Sequence, residues 1–179
     1  DKQLVYLRKV KMKKLDKMIK DSMITLSRSS QDKWTDARFS EVKSSTMTAK
    51  GDFGEELTTS VLNELGLEAR RVNQGIGEFD IIMGEWLIEH KLATEDSTGS
   101  FQFNGIKKNV TYDIVFCLGV SPNDISFTIL TKEDAMDLGV SMTKGGTDSF
   151  KYSVPLSKMI SYNEENVLDE LVKLGIVTT

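Results

Sequence analysis

The run from Glu78 to Lys91 constrains this chain most. Gly84-Glu85 divides it into two largely apolar halves, and glycine suits the first central position of a two-residue hairpin loop. With the turn placed there, Met83 pairs with Trp86, Ile82 with Leu87, Ile81 with Ile88, and Asp80 with Glu89. Opposed residues on one face hold their Cβ atoms about 4.5–5.5 Å apart. Lys91 lies two positions beyond Glu89 and projects from the same face. Two carboxylates held side by side repel each other, and a divalent cation bridging them reverses that penalty. The segment therefore reads as a metal site with a lysine beside it.

Alternation supports the register. Ile82 and Leu87 share the face of the charged residues, while Phe79, Ile81, Met83, Trp86 and Ile88 form the other face. A sheet apolar on both faces is covered on both sides, so charge belongs at its open end, where Asp80, Glu89 and Lys91 fall. The competing reading is an exposed hairpin with solvated charges.

Asp80, followed after eight residues by Glu89-His90-Lys91, resembles the D…(D/E)-x-K signature of the PD-(D/E)XK nuclease superfamily, which includes most type II restriction endonucleases and the archaeal Holliday junction resolvases. Lys50-Gly-Asp-Phe-Gly-Glu55 resembles the K-G-x-x-x-E helix start of several of these nucleases. The resemblance covers about residues 48–131, and Phe79 stands where the name-giving proline would be. It implies a restriction-endonuclease-like α/β fold, a mixed β-sheet flanked by helices on both faces. It also implies a glutamate, carried over to Glu55, beside the metal, and a contact from the His90 backbone carbonyl. A glutamine after the E-x-K strand touches the site or nucleic acid in several members, and Gln102 takes that place.

Helical geometry separates Glu55 from its neighbour. At about 100° per residue, Glu55 lies on the flank of the stripe Phe53, Leu57, Val61 and Leu65, whereas Glu56 points away. Oxygen ligands of this kind suit Mg²⁺, with Mn²⁺ able to substitute. Lys91 is placed to orient water or stabilise charge developing on phosphate. His90, the only histidine, points opposite to Glu89 and Lys91 and is expected to be structural, which disfavours catalysis built on histidine.

At 179 residues the chain fits one nuclease domain, with a basic helical region at about 1–47 and a catalytic core at about 48–138. The net charge is −4, yet residues 1–20 hold eight Lys/Arg against two Asp. That asymmetry hints at a phosphate-facing element or, equally, a solvated helix face. Lys9 and Lys13, with Arg70, Arg71, Lys107 and Lys144, are the candidate DNA contacts. No run approaches a membrane helix and no signal peptide pattern opens the chain. Cys117, the single cysteine, lies in an apolar run, so a reducing, cytoplasmic home is expected and the thiol receives no catalytic role.

Residues 3–26 have helical apolar spacing, and residues 27–47 read as loop with a short helix around Trp34. A helix runs from near Thr48 to Leu65 and stops at Gly66. Residues 68–73 form an edge strand before the hairpin, and Ser100–Asn109 reads as helix. Tyr112–Val120 is a buried strand, Ile125–Leu130 another. Thr131 caps a helix through Leu138, residues 139–153 read as a mobile loop, and Asn163–Leu174 is an amphipathic helix closed by Gly175.

These readings point to a Mg²⁺-dependent endonuclease acting on double-stranded DNA, most like a type II restriction enzyme. One site cuts one strand, so double-strand cleavage implies a homodimer, or a heterodimer with another nuclease or recognition subunit. A junction-specific or repair nuclease is the nearest alternative. A nuclease-like module that binds DNA or a partner without cutting is the non-enzymatic one.

Overall fold

A computed structural model describes residues 15–23, 32–72, 78–144 and 147–178, with the side chains of 143–147 excepted. The chain divides into two compact units, residues 1–35 and 36–179. In the first, residues 15–23 form helix α1, whose Leu15, Met18, Ile19 and Met23 are exposed. A turn closed by Thr35 N–H on Asp32 O at 2.8 Å replaces the short helix expected around Trp34. Lys9 and Lys13 lie outside the described residues.

The second unit contains α2 (Ser40–Ser44), α3 (Met47–Glu64), β1 (Ala69–Arg71), β2 (Ile81–Met83), β3 (Trp86–Thr94), β4 (Ser100–Lys107) and β5 (Ile114–Val120). There follow β6 (Ile125–Thr131), α4 (Lys132–Leu138), β7 (Val140–Lys144), β8 (Thr147–Pro155), β9 (Ile160–Ser161) and α5 (Glu164–Lys173). Six strands make a mixed sheet in the order β1-β2-β3-β5-β6-β9, in which only β3 and β5 run parallel. A second sheet has the order β4-β8-β7. Among the described residues no helix is long and apolar enough to cross a membrane.

Strand β5 shows how the layers form. All seven of its residues are buried, and alternate side chains enter different cores. Ile114, Phe116 and Leu118 meet Leu62 of α3 and Val167 and Leu171 of α5. Val115 and Cys117 meet Phe101, Phe103 and Ile106 of β4, Phe150 and Val154 of β8, and Ala135 of α4. Helices α3 and α5 thus cover one face, and the second sheet with the short α4 covers the other. A helix does lie on each face, but the second face, expected to be covered by helices, is covered mainly by the three-stranded sheet with α4 beside it.

Two local assignments change with it. Ser100–Lys107 is strand β4 rather than helix, with Phe101 and Phe103 buried and Gln102 and Asn104 exposed. The segment expected as a mobile loop carries the paired strands β7 and β8. Both changes come from partners distant in sequence, since β4 pairs with β8 in the register Ser100↔Pro155 to Lys107↔Ser149. Elsewhere local signals match the structure. Thr131 caps α4 as expected, through Asp134 N–H at 3.0 Å, and α3 starts at Met47, close to the expected Thr48, with Thr46 as its cap through Ala49 N–H at 3.2 Å. Cys117 is fully buried, which pushes its thiol up and keeps it protonated.

Candidate functional site

The β2–β3 hairpin has the expected register, Met83↔Trp86, Ile82↔Leu87 and Ile81↔Ile88, around Gly84 at φ +57. Beyond Ile81 the ladder departs from expectation. Asp80 N–H donates to Ile88 O at 2.9 Å, so Asp80 and Ile81 both address Ile88, the arrangement of a β-bulge. The bulge reverses the alternation. Phe79 consequently packs in the core against the second sheet, beside Leu87, not with Ile81 and Ile88. Asp80 does not oppose Glu89 across the ladder; instead its Oδ2 accepts from His90 N–H at 2.8 Å. The carboxylate takes the acceptor place that a continuing β2 would have filled.

Strand β3 outruns β2, so its edge beyond His90 borders a cleft of about 230 Å³. Lys50, Gly51 and Glu55 of α3, Asp80, Lys91, and Gln102 and Asn104 of β4 line it. His90 contributes to the wall, but its ring turns to the helix side, where Nε2 meets Thr58 Oγ1 at 3.0 Å. The ring stacks on Phe116 with centroids 5.9 Å apart. Burial, followed by the charges of Lys91 and Arg71, lowers its pKa to about 3. It is a neutral structural histidine, as expected.

Glu89 does not line the cleft: it lies buried, 1% exposed, with Oε1 2.7 Å from Nζ of the lining residue Lys91. Among the described residues its Oε2 has no hydrogen-bond partner. Burial raises the Glu89 pKa most, the Lys91 charge opposes this, and the Asp80 charge adds to it. A desolvated carboxylate with an unpartnered oxygen is costly unless a cation joins it.

Glu55 faces β1. Its Oε2 accepts from Arg71 Nε at 3.1 Å and Nη2 at 2.8 Å, and Arg71 also reaches Asp52 at 2.7 Å. Burial raises the Glu55 pKa, Arg71 opposes, and Asp80 raises it further. Asp80 thus acts electrically on both glutamates. Glu56 is 72% exposed, with only a 3.4 Å contact to Arg71, so the two adjacent glutamates differ as helical geometry requires.

Arg71, expected at a phosphate, instead fastens β1 to three carboxylates of α3. Arg70 and Lys107 are exposed on β1 and β4. Lys144 ends β7, and its side chain lies outside the description. Gln102 is exposed on β4, with Nε2 on Asn104 Oδ1 at 3.0 Å. Lys50 and Asn104 are the cleft residues that sequence reasoning missed. Lys50 opens the K-G-x-x-x-E stretch, and the alternation Phe101-Gln102-Phe103-Asn104 was the available sign that Asn104 shares the face of Gln102.

Among the described residues no three His, Cys, Asp or Glu side chains stand together as a group able to hold a metal ion. The donor chemistry nonetheless fits a hard cation. Among the described residues Glu89 Oε2 has no partner and Asp80 uses only Oδ2. Anionic oxygens are the ligands Mg²⁺ takes, a few at a time. Neither a family model nor a curated protein matches the sequence.

Proposed function

We propose that the cleft hydrolyses phosphodiester bonds of DNA with Mg²⁺ held by Asp80 and Glu89, aided by Glu55 and the His90 carbonyl. The observation that carries this reading is Glu89: a carboxylate 1% exposed and paired with Lys91 of the cleft wall, with Oε2 unpartnered among the described residues. A bound divalent ion supplies charge neutralisation and a water of lowered pKa. The chain's own groups do the positioning. The His90 N–H fixes the Asp80 carboxylate, and Arg71 fixes Glu55. Lys91 now neutralises Glu89; once that charge is met otherwise, its ammonium is available to a phosphate oxygen. Gln102 and Asn104 supply amide donors and acceptors across the cleft. One such cleft cuts one strand, so cleavage of duplex DNA calls for two copies or a second nuclease subunit.

A module that binds without cutting is the competing reading, favoured by the absence of a ready three-ligand group among the described residues. Supercoiled plasmid separates the two. The purified chain should nick it with Mg²⁺ and not with EDTA, and Asp80→Ala and Glu89→Ala should abolish nicking while remaining folded. Nicking retained in Asp80→Ala, or never seen under any divalent ion, defeats the hydrolase reading.

A further inference from the structure

A second cleft, of about 310 Å³, borders the first and shares Lys50 with it. Phe39, Val42 and Phe53 line it, with Arg38, Lys50 and Glu41. The Arg38 guanidinium lies over the Phe39 ring, 4.9 Å from its centroid. Among the described residues neither Arg38 nor Lys50 forms an ion pair. The backbone beneath is anchored, with Arg38 N–H on Asn123 Oδ1 at 3.0 Å and Phe39 N–H on Pro122 O at 3.0 Å. Lys43 Nζ, on Thr94 Oγ1 at 3.3 Å, ties α2 to the end of β3.

We infer that this cleft seats one unpaired nucleobase of the strand whose phosphate occupies the neighbouring cleft. Aromatic rings and guanidinium planes stack bases of any sequence, and cations beside them track the backbone. Arg38 and Phe39 form such a unit on a fixed backbone, and Lys50 stands between base and phosphate. The volume lies at the small end of ligand pockets, enough for a nucleoside and too little for a helix. An apolar peptide seated here would bury Arg38 and Lys50 without partners. The inference rests on the phosphodiester reading and narrows it: DNA with an unpaired nucleotide near the cut is preferred over uninterrupted duplex.

The test uses the full chain in EDTA, with a short fluorescein-labelled single strand and its duplex, followed by anisotropy. A 2-aminopurine version of the single strand reports stacking. Wild type should bind the single strand more tightly than the duplex, and 2-aminopurine should quench. Arg38→Ala and Phe39→Leu should each weaken binding by about tenfold, Phe39→Leu should abolish the quench, and Phe39→Trp should restore both. Unchanged affinity in a Phe39→Leu protein that melts normally, or no preference for the single strand, overturns the inference. If Phe39→Leu fails to fold, the exposed Arg38→Ala decides alone. Plasmid nicking run in parallel keeps the two ideas apart. Nicking with unaltered Arg38→Ala affinity refutes only the base cleft. Stacking lost in Phe39→Leu without any nicking refutes only the hydrolase.

Discussion

Gly54 and Gly51 lie three residues apart in α3, and alanine should have opposite effects at the two. A Cβ at Gly54 would stand 2.6 Å from His90 Cε1, 3.0 Å from Leu92 Cδ1 and 3.3 Å from His90 Nδ1. The imidazole has little room to retreat, being held by Thr58 at 3.0 Å and stacked on Phe116. Overpacking of this kind costs about 1–3 kcal/mol, and breaking the buried Thr58 contact adds about 1–3 kcal/mol. Against this, alanine gains about 1 kcal/mol of helix propensity over glycine. The net loss for Gly54→Ala is about 1–5 kcal/mol. At Gly51 the added methyl would meet only Glu55 Oε1, at 3.9 Å, so the propensity gain stands nearly alone. With about 2–4 °C per kcal/mol for a chain of this size, the two alanine variants should bracket wild type in thermal unfolding followed by circular dichroism. In a His90→Ala background most of the obstruction is gone, and Gly54→Ala should become close to neutral. A Gly54→Ala Tm at or above that of wild type would show that α3 does not rest on β3 as described, and the placement of Glu55 beside Asp80 would go with it.

Glu89→Gln should raise Tm by a few degrees near neutral pH without added metal. Its raised pKa makes the folded state the better proton acceptor, so its contribution is complete below the unfolded pKa and is lost as pH rises through the folded one. The advantage should therefore shrink towards pH 4.5, and millimolar Mg²⁺ should stabilise wild type alone; a Glu89→Gln protein less stable at neutral pH contradicts this. His90, the only imidazole in the chain, should keep constant NMR shifts through its ordinary 6.5 down towards about 3 for as long as the fold persists. Because the unfolded state gains the proton first, stability should fall with acid over that interval by up to about 1.4 kcal/mol per pH unit; an imidazole titrating near 6.5 refutes the burial argument. Arg71→Ala should cost about 1–2 kcal/mol in urea unfolding, between exposed and buried pairs. Without the guanidinium the Glu55 pKa rises further, so the deficit should be largest at neutral pH and fade in acid, with Arg71→Lys recovering part of it.

Much of the local structure was legible because it depends on near neighbours. The Gly84 turn sets the register from Ile81 to Trp86, the cap Thr131 starts its helix, and the seven-residue apolar run of β5 is a strand buried on both faces. The separation of Glu55 from Glu56 followed from helical rotation alone. By contrast, the centre of the α3 stripe falls on Gly54, Thr58 and Leu62, one residue from where apolar character placed it, because the imidazole of His90 needs a small neighbour and a hydroxyl. No local pattern announces such a demand from another strand.

From its sequence alone the chain determined its hairpin, the bounds of α3, α4 and α5 to within a residue or so, and the presence of carboxylates and a lysine near one another on the hairpin, since these depend on turn chemistry and periodicity over a few residues. Only the tertiary structure decided that β4 is a strand, that Phe79 faces the second sheet, that Asp80 answers the His90 N–H in place of Glu89, and that Arg71 is bound to α3. Each of those outcomes satisfies a backbone group or a charge with a partner remote in sequence. The demand for such a partner is local, but which residue meets it depends on how distant segments pack.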